Sequence, residues 1–132
     1  MRVVLDTNVV VSALLNPKGS PSQVVLFVLT GKALPLLDER ILYEYRMVLR
    51  REVFHFDPFQ VDELLAQFDS IGEFVAAAPL NISLPDPDDL PFLEVALTGK
   101  ADFLITGNKK DFGKPPGRLK ILSPSEFLAI CG

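Results

Sequence analysis

Apolar and polar positions along this chain change period several times, and each period names an element. Residues 2–5 (RVVL) are a β-branched apolar run that stops at Asp6, which reads as a short buried strand. Residues 8–15 continue as a helix, and the Pro, Gly and Ser of "NPKGSP" at 16–21 break the chain into a loop. Ser20 can cap a following helix, with Pro21 at its first position and Gly31 at its end. "ALPLL" (33–37) reads as a second strand, and Asp38 caps a helix on which Ile41, Tyr45, Val48 and Leu49 share one buried face. Asp57-Pro58 opens another helix with Val61, Leu64, Leu65 and Phe68 inward, and 74–82 returns as an extended segment. Residues 84–100 are a proline-rich lead into a helix near 89–99, and a strand covers 101–106. After the loop "GNKKDFGKPPGR" a last strand covers 119–122, and "SPSEFLAI" closes as a capped helix.

Strands that alternate with helices predict a mostly parallel sheet with helices on both faces, a three-layer α/β/α sandwich. Such sheets place their sites at the carboxyl ends of the strands. Asp6 falls there, as does the Thr-Gly-Asn after the strand at 101–106. At 132 residues, 48% of them hydrophobic, the chain reads as one globular domain, 1–132, with ample core material.

Net charge is −4, so bulk electrostatic attraction to nucleic acid is excluded; any such role needs local cations or metal ions. A lone cysteine, Cys131, excludes an internal disulfide framework and fits a reducing cytoplasm. No apolar run reaches the roughly 20 residues of a membrane helix, and the amino-terminal stretch lacks the features of a signal peptide.

The acids carry the candidate chemistry. Asp6 ends the first strand, Glu44 lies two turns into the helix after the second, and Asp86, Asp88 and Asp89 crowd the lead into a later helix. Asn108 and Asp111 follow the late strand. Carboxylate and amide oxygens are hard ligands suited to Mg²⁺ or Mn²⁺, and gathered carboxylates cannot all ionise without a cation between them. Two ions about 4 Å apart make a phosphodiesterase centre. Each acid also has an ordinary use: Asp6 as a helix cap, Glu44 as a solvated helix acid, Asp88 and Asp89 as complements to a helix dipole. Asp102 reads as structural, and His55, the only histidine, argues against zinc. There is no Gly-rich phosphate loop and no Gly-x-Ser-x-Gly elbow. Asp6 as a nucleophile toward phosphorus stays open as a phosphatase alternative.

"VVLDTNVVVSALL", "LLDERILYEYRMVL" and "DPDDLPFLEVALTGKADFLITGNKKDF", in this order, resemble the PIN domain family, and within it the VapC-like toxins of bacterial and archaeal toxin–antitoxin pairs. The resemblance implies a Mg²⁺- or Mn²⁺-dependent ribonuclease whose acids match Asp6, Glu44 and Asp89, with Asp88 beside the last. The fourth acid of the pattern is Asn108 here, a neutral ligand, and Asp111 is the candidate substitute. Thr7 and Asn8 match residues that hold the first acid, and Thr106 matches one near the phosphate or the metal shell. Lys109, Lys110 and Arg118 are candidate phosphate contacts by position. The expected partners are an RNA substrate, an antitoxin and a second copy of the chain in a homodimer. The rivals are a PIN-fold interaction module that binds antitoxin or RNA with little catalysis, and a DNA nuclease.

Overall fold

The computed structural model describes residues 1–132 and has its core on a five-stranded parallel sheet. The strands are β1 (Arg2–Leu5), β2 (Leu34–Leu37), β3 (Glu73–Phe74), β4 (Phe103–Ile105) and β5 (Lys120–Leu122), in the order β3-β2-β1-β4-β5. Six helices complete an α/β sandwich: α1 (Thr7–Leu15), α2 (Ser20–Leu29), α3 (Glu39–Leu49), α4 (Pro58–Ile71), α5 (Leu90–Thr98) and α6 (Pro124–Cys131). The expected fold class is the one found.

Strand order decides where a site can form. The chain builds outward from β1 through β2 to β3, then crosses back and adds β4 on the other side of β1. β1 and β4 therefore flank the point where the order reverses, and a crevice opens beyond their carboxyl ends. In register, Leu5 lies opposite Ile105 and Ile105 opposite Leu122, so Asp6 and Thr106 emerge side by side. The backbone N–H of Asp6 donates to Ile105 O at 2.9 Å, which fixes that adjacency.

Twenty-nine buried apolar residues form one contiguous cluster, so the sheet and its helices share a single core. Tyr45, Phe68 and Phe92 meet there, with ring centroids 5.7 and 6.4 Å from Tyr45. The Tyr45 hydroxyl donates to Leu5 O at 2.5 Å, so the floor beneath Asp6 is dry and satisfied.

The structure corrects several boundaries. Helix α2 has Gly19, not Ser20, at its cap, with no side-chain hydrogen bond; Ser20 is its first residue and Pro21 its second, where a missing N–H costs nothing. Helix α1 starts at Thr7, with the Asp6 carboxylate accepting from Thr7 N. Of the expected inward faces, Val48 and Leu64 are only half-buried. Of the extended segment at 74–82 only its first residue, with Glu73, is strand; the rest is irregular and is held from outside. Ala78 N donates to Thr98 Oγ1 at 2.9 Å, and Leu80 N donates to Glu94 Oε2 at 2.8 Å.

Glu94 is 5% exposed, and its other oxygen accepts from Arg40 at 2.7 Å. That carboxylate ties α3 and the segment before α5 to α5 itself. Glu94→Ala leaves the Leu80 N–H without its acceptor and the Arg40 guanidinium with Asp38 alone. It is expected to cost about 2 kcal/mol, read as a lowered urea midpoint at unchanged slope.

Candidate active site at the sheet switch point

Asp6 is the centre of the site. It is 5% exposed, and both carboxylate oxygens are engaged: Oδ1 accepts from Thr7 N at 2.8 Å and Oδ2 from Thr106 Oγ1 at 2.8 Å. The same carboxylate caps α1 and lines the cleft above it, so the helix-cap role is compatible with a place in the candidate site. Thr106 is fully buried and its hydroxyl is spent on Asp6, so it positions that carboxylate rather than reaching a phosphate. Asn8 holds the neighbouring turn: its Oδ1 accepts from Gly107 N at 3.0 Å and its Nδ2 donates to Thr106 Oγ1 at 3.4 Å. The Thr7 hydroxyl donates to Glu44 Oε2, which brings the α3 acid over the start of α1.

A cleft of about 380 Å³ opens above these groups. Asp6, Glu44, Asp86, Asp88, Asp89 and Asp111 all line it, so six carboxylates from four stretches of chain share one opening. Asn108 does not line it. Its Nδ2 instead donates to Asp111 Oδ2 at 3.1 Å, and the acid three residues on reaches the cleft in its place. Asp88 and Asp89 lie in a short 3₁₀ turn whose start is fixed by Asp86 accepting from Asp88 N at 2.9 Å.

The electrostatics are those of crowded, partly buried acids. Burial pushes the Asp6 carboxyl up to about 6, against the hydrogen bonds from Thr106 and Thr7, and the charges of Glu44 and Asp111 push the same way as burial. Burial, then the charges of Asp6, Asp86, Asp111 and Glu44, raises Asp89 to about 7. Glu44 is also raised, first by burial and then by Asp88 and Asp86, while the Thr7 hydrogen bond and Arg51 oppose the shift.

The donor set tests well against a hard divalent cation: every donor is a carboxylate oxygen, no nitrogen or sulfur ligand intrudes, and the acids repel one another in the absence of positive charge. In this conformation no three of them stand close enough to enclose an ion together. Asp6 is buried and held by two hydrogen bonds, whereas Asp86 and Asp88 are exposed at the rim.

The proposed cations fall in different places. Lys109 pairs with Glu126 at 2.9 Å at the start of α6, and Lys110 is exposed on the same turn. Arg118 precedes β5 and so sits at the amino-terminal edge of the sheet, remote from the acids, so the three candidate phosphate contacts do not share one place. Sequence reasoning missed Arg51, the cation lining the acid cleft, and Ser12. For Ser12 the spacing was a usable signal, four residues after Asn8 on one face of α1; Arg51 lies beyond the end of α3, and no helical period points to it.

A family model described as a PIN domain matches residues 2–110. The chain belongs to the PIN domain family. This PIN domain is 29% identical to the uncharacterised protein MJ1680 of Methanocaldococcus jannaschii over 142 aligned positions, covering 97% of this chain and 90% of that protein. It also superposes on a chain of the crystal structure of VapBC2 from Rickettsia felis bound to a DNA fragment from their promoter, with a TM-score of 0.61 at 20% identity. That match covers 93% of this chain and 98% of the other, and it is a likeness of fold. No helix of this PIN domain is long and apolar enough to cross a membrane.

Proposed function

We propose that this PIN domain is a metal-dependent ribonuclease, the toxin of a toxin–antitoxin pair, acting at the acid cleft over β1 and β4. The observation that carries the reading is the convergence of six carboxylates on a buried, doubly hydrogen-bonded Asp6 at the switch point. Asp6 and Asp89 would hold the principal Mg²⁺ or Mn²⁺, with Asp88 beside them and Asp111 in the place that Asn108 leaves. Bound there, the ion would supply Lewis acidity toward a phosphodiester. Glu44 has one oxygen committed to the Thr7 hydroxyl, which leaves Oε1 to orient a water or complete the ligand set. Thr7, Asn8 and Thr106 keep the buried carboxylate fixed. An antitoxin that covers the cleft and a second copy of the chain complete the reading as partners.

Two alternatives separate on geometry. A nucleophilic Asp6 needs a free oxygen exposed to phosphorus, and this carboxylate is buried with both oxygens accepting. The interaction-module reading is favoured by Asn108 and by the spread of the acids in this conformation.

Calorimetric titration with Mn²⁺ tests the proposal. Native protein is expected to bind, and Asp6→Asn and Asp89→Asn to lose binding; a native chain that takes up no Mn²⁺ at millimolar concentration overturns it in favour of the interaction module. Cleavage of matched single-stranded RNA and DNA then decides the substrate. In the same titration Asp111→Asn is expected to weaken Mn²⁺ binding by about tenfold or more. Asn108→Ala should weaken it by a similar factor through loss of the hydrogen bond that aims Asp111. Equal affinity in native and Asp111→Asn protein would remove Asp111 from the site.

A further inference from the structure

A second cleft, of about 620 Å³, lies at the opposite edge of the sheet, where α5 hands over to β4 and the loop at 113–118 enters β5. Lys100, Arg118 and Lys120 line it, all three exposed. None enters an ion pair, whereas Arg2, Arg40, Arg50 and Lys109 are each matched to a carboxylate. The one acid on the cleft, Asp102, accepts from the backbone N–H of Arg2 at 2.8 Å and gives none of the three a salt bridge. The half-buried Phe103 lines the same opening, with its ring edge-on to Phe127.

The backbone here is shaped at a cost. Lys100 has φ +55°, a left-handed conformation that side chains rarely adopt, and it directly follows Gly99, which does not take that conformation. Glycine at position 100 would remove the strain, of order 1 kcal/mol. A lysine held there keeps a charge at the mouth of the cleft. The loop on the other side turns through Gly117 at φ +78° immediately before Arg118.

We propose that this cleft is a phosphodiester-binding site remote from the acid cleft, one that grips the RNA backbone outside the cleaved segment. The proposal rests on reading the acid cleft as a nuclease site. A chain of net charge −4, with six carboxylates around its reaction centre, repels a polyanion where it must act. Affinity has to come from cations elsewhere. Near the acids, Lys109 is neutralised by Glu126 and Arg51 faces carboxylates. The unpaired cations gathered in a concave site are those at the other edge. About 17 Å of extended chain, from Ala101 to Thr106, separates the two edges, a span that a single strand running along the sheet can cover. Three charges spaced around a groove with an aromatic wall suit successive phosphates and a base. An acidic polypeptide is the competing occupant, and the wall of Phe103 favours the nucleic acid.

The test is binding of a fluorescent 20-nucleotide single-stranded RNA in EDTA, where no cleavage intervenes, across a series of salt concentrations. The variant is Lys100→Asn/Arg118→Gln/Lys120→Gln, with asparagine chosen because it tolerates the left-handed backbone. Its RNA affinity is expected to fall about tenfold or more. The slope of log K against log salt should shrink by about 2, the release expected for three phosphate contacts on a single strand. Lys18→Gln, an exposed cation elsewhere, should behave as native. With Mn²⁺ present, the triple variant should raise KM for the long RNA and leave cleavage of a trinucleotide unchanged. Native affinity and slope in the triple variant overturn the proposal. So does a native chain that ignores RNA but binds poly-glutamate and loses it in the variant, which assigns the cleft to an acidic protein. A native chain that cleaves nothing in Mn²⁺ removes the nuclease reading alone, and the EDTA comparison still decides this site.

Discussion

Asp6→Asn should lower Mn²⁺-dependent RNA cleavage by about 10³-fold or more, equivalent to roughly 4 kcal/mol of barrier. The reason lies in what the side chain does at once. It is the buried anionic floor of the cleft, aimed by Thr7 N and Thr106 Oγ1. Asparagine preserves the volume and one acceptor oxygen, so the fold survives, but the charge that pairs a cation is gone. Asp69→Asn on the exposed face of α4 is the matching control and should leave the rate unchanged. Measured initial rates on one RNA, with circular dichroism to confirm folding, decide the matter. Native activity in Asp6→Asn would move the chemistry away from β1.

The metal-free protein should lose stability as pH rises from about 4 to about 7. Asp6 titrates near 6 and Asp89 near 7 in the folded chain, both above the ordinary aspartate value of 3.8. Between those limits the folded state holds protons that the unfolded chain has released, so unfolding free energy falls with pH. The contribution is fully present below about 3.8 and is lost as pH passes through 6 and 7. For the buried Asp6 the loss is about 2–3 kcal/mol. Asp89 adds less, because solvent screens its half-exposed carboxylate. Urea unfolding in EDTA at pH 4.5, 6.0 and 7.5, compared between native protein and Asp6→Asn, isolates the term. The variant should be the more stable of the two at pH 7.5, with the gap closing toward pH 4.5. Mn²⁺ at about a thousandfold its Kd should reverse the order at pH 7.5, since it contributes about 4.1 kcal/mol to the chain that binds it. A native protein whose stability gap to Asp6→Asn is the same at all three pH values would show that the carboxylate is not raised.

Both predictions come from one arrangement. A strand that delivers an acid to its own buried end is locally unfavourable. That cost is consistent with a site, where charge is concentrated to hold an ion rather than to stabilise the empty fold.

Local elements were legible in the residues because their causes are local. The apolar run at 2–5 and its stop at Asp6 need only neighbouring residues to be read, as does the Asp38 cap, which accepts from Ile41 N at 3.0 Å. The buried Ile41, Tyr45 and Leu49 on α3, and Val61, Leu65 and Phe68 on α4, follow from helical period. The alternation of those elements was enough for the fold class, and the order of the motifs was enough for the family.

Tertiary structure alone decided which polar groups meet. Asp111 reaches the cleft because Asn108 turns it there, a loop contact that no periodicity encodes. Arg118 was grouped with Lys109 and Lys110 because one loop carries all three, but that loop runs from the carboxyl end of β4 back to the start of β5, so Arg118 lies at the opposite edge of the sheet. The irregular path of 75–82 depends on Glu94 and Thr98, fourteen and twenty residues away from the amides they hold. Caps and faces are set within a turn or two of chain, whereas a site is set by strand order. Here it was the return of the chain to the far side of β1 that brought residues 6, 44, 89 and 111 to one opening.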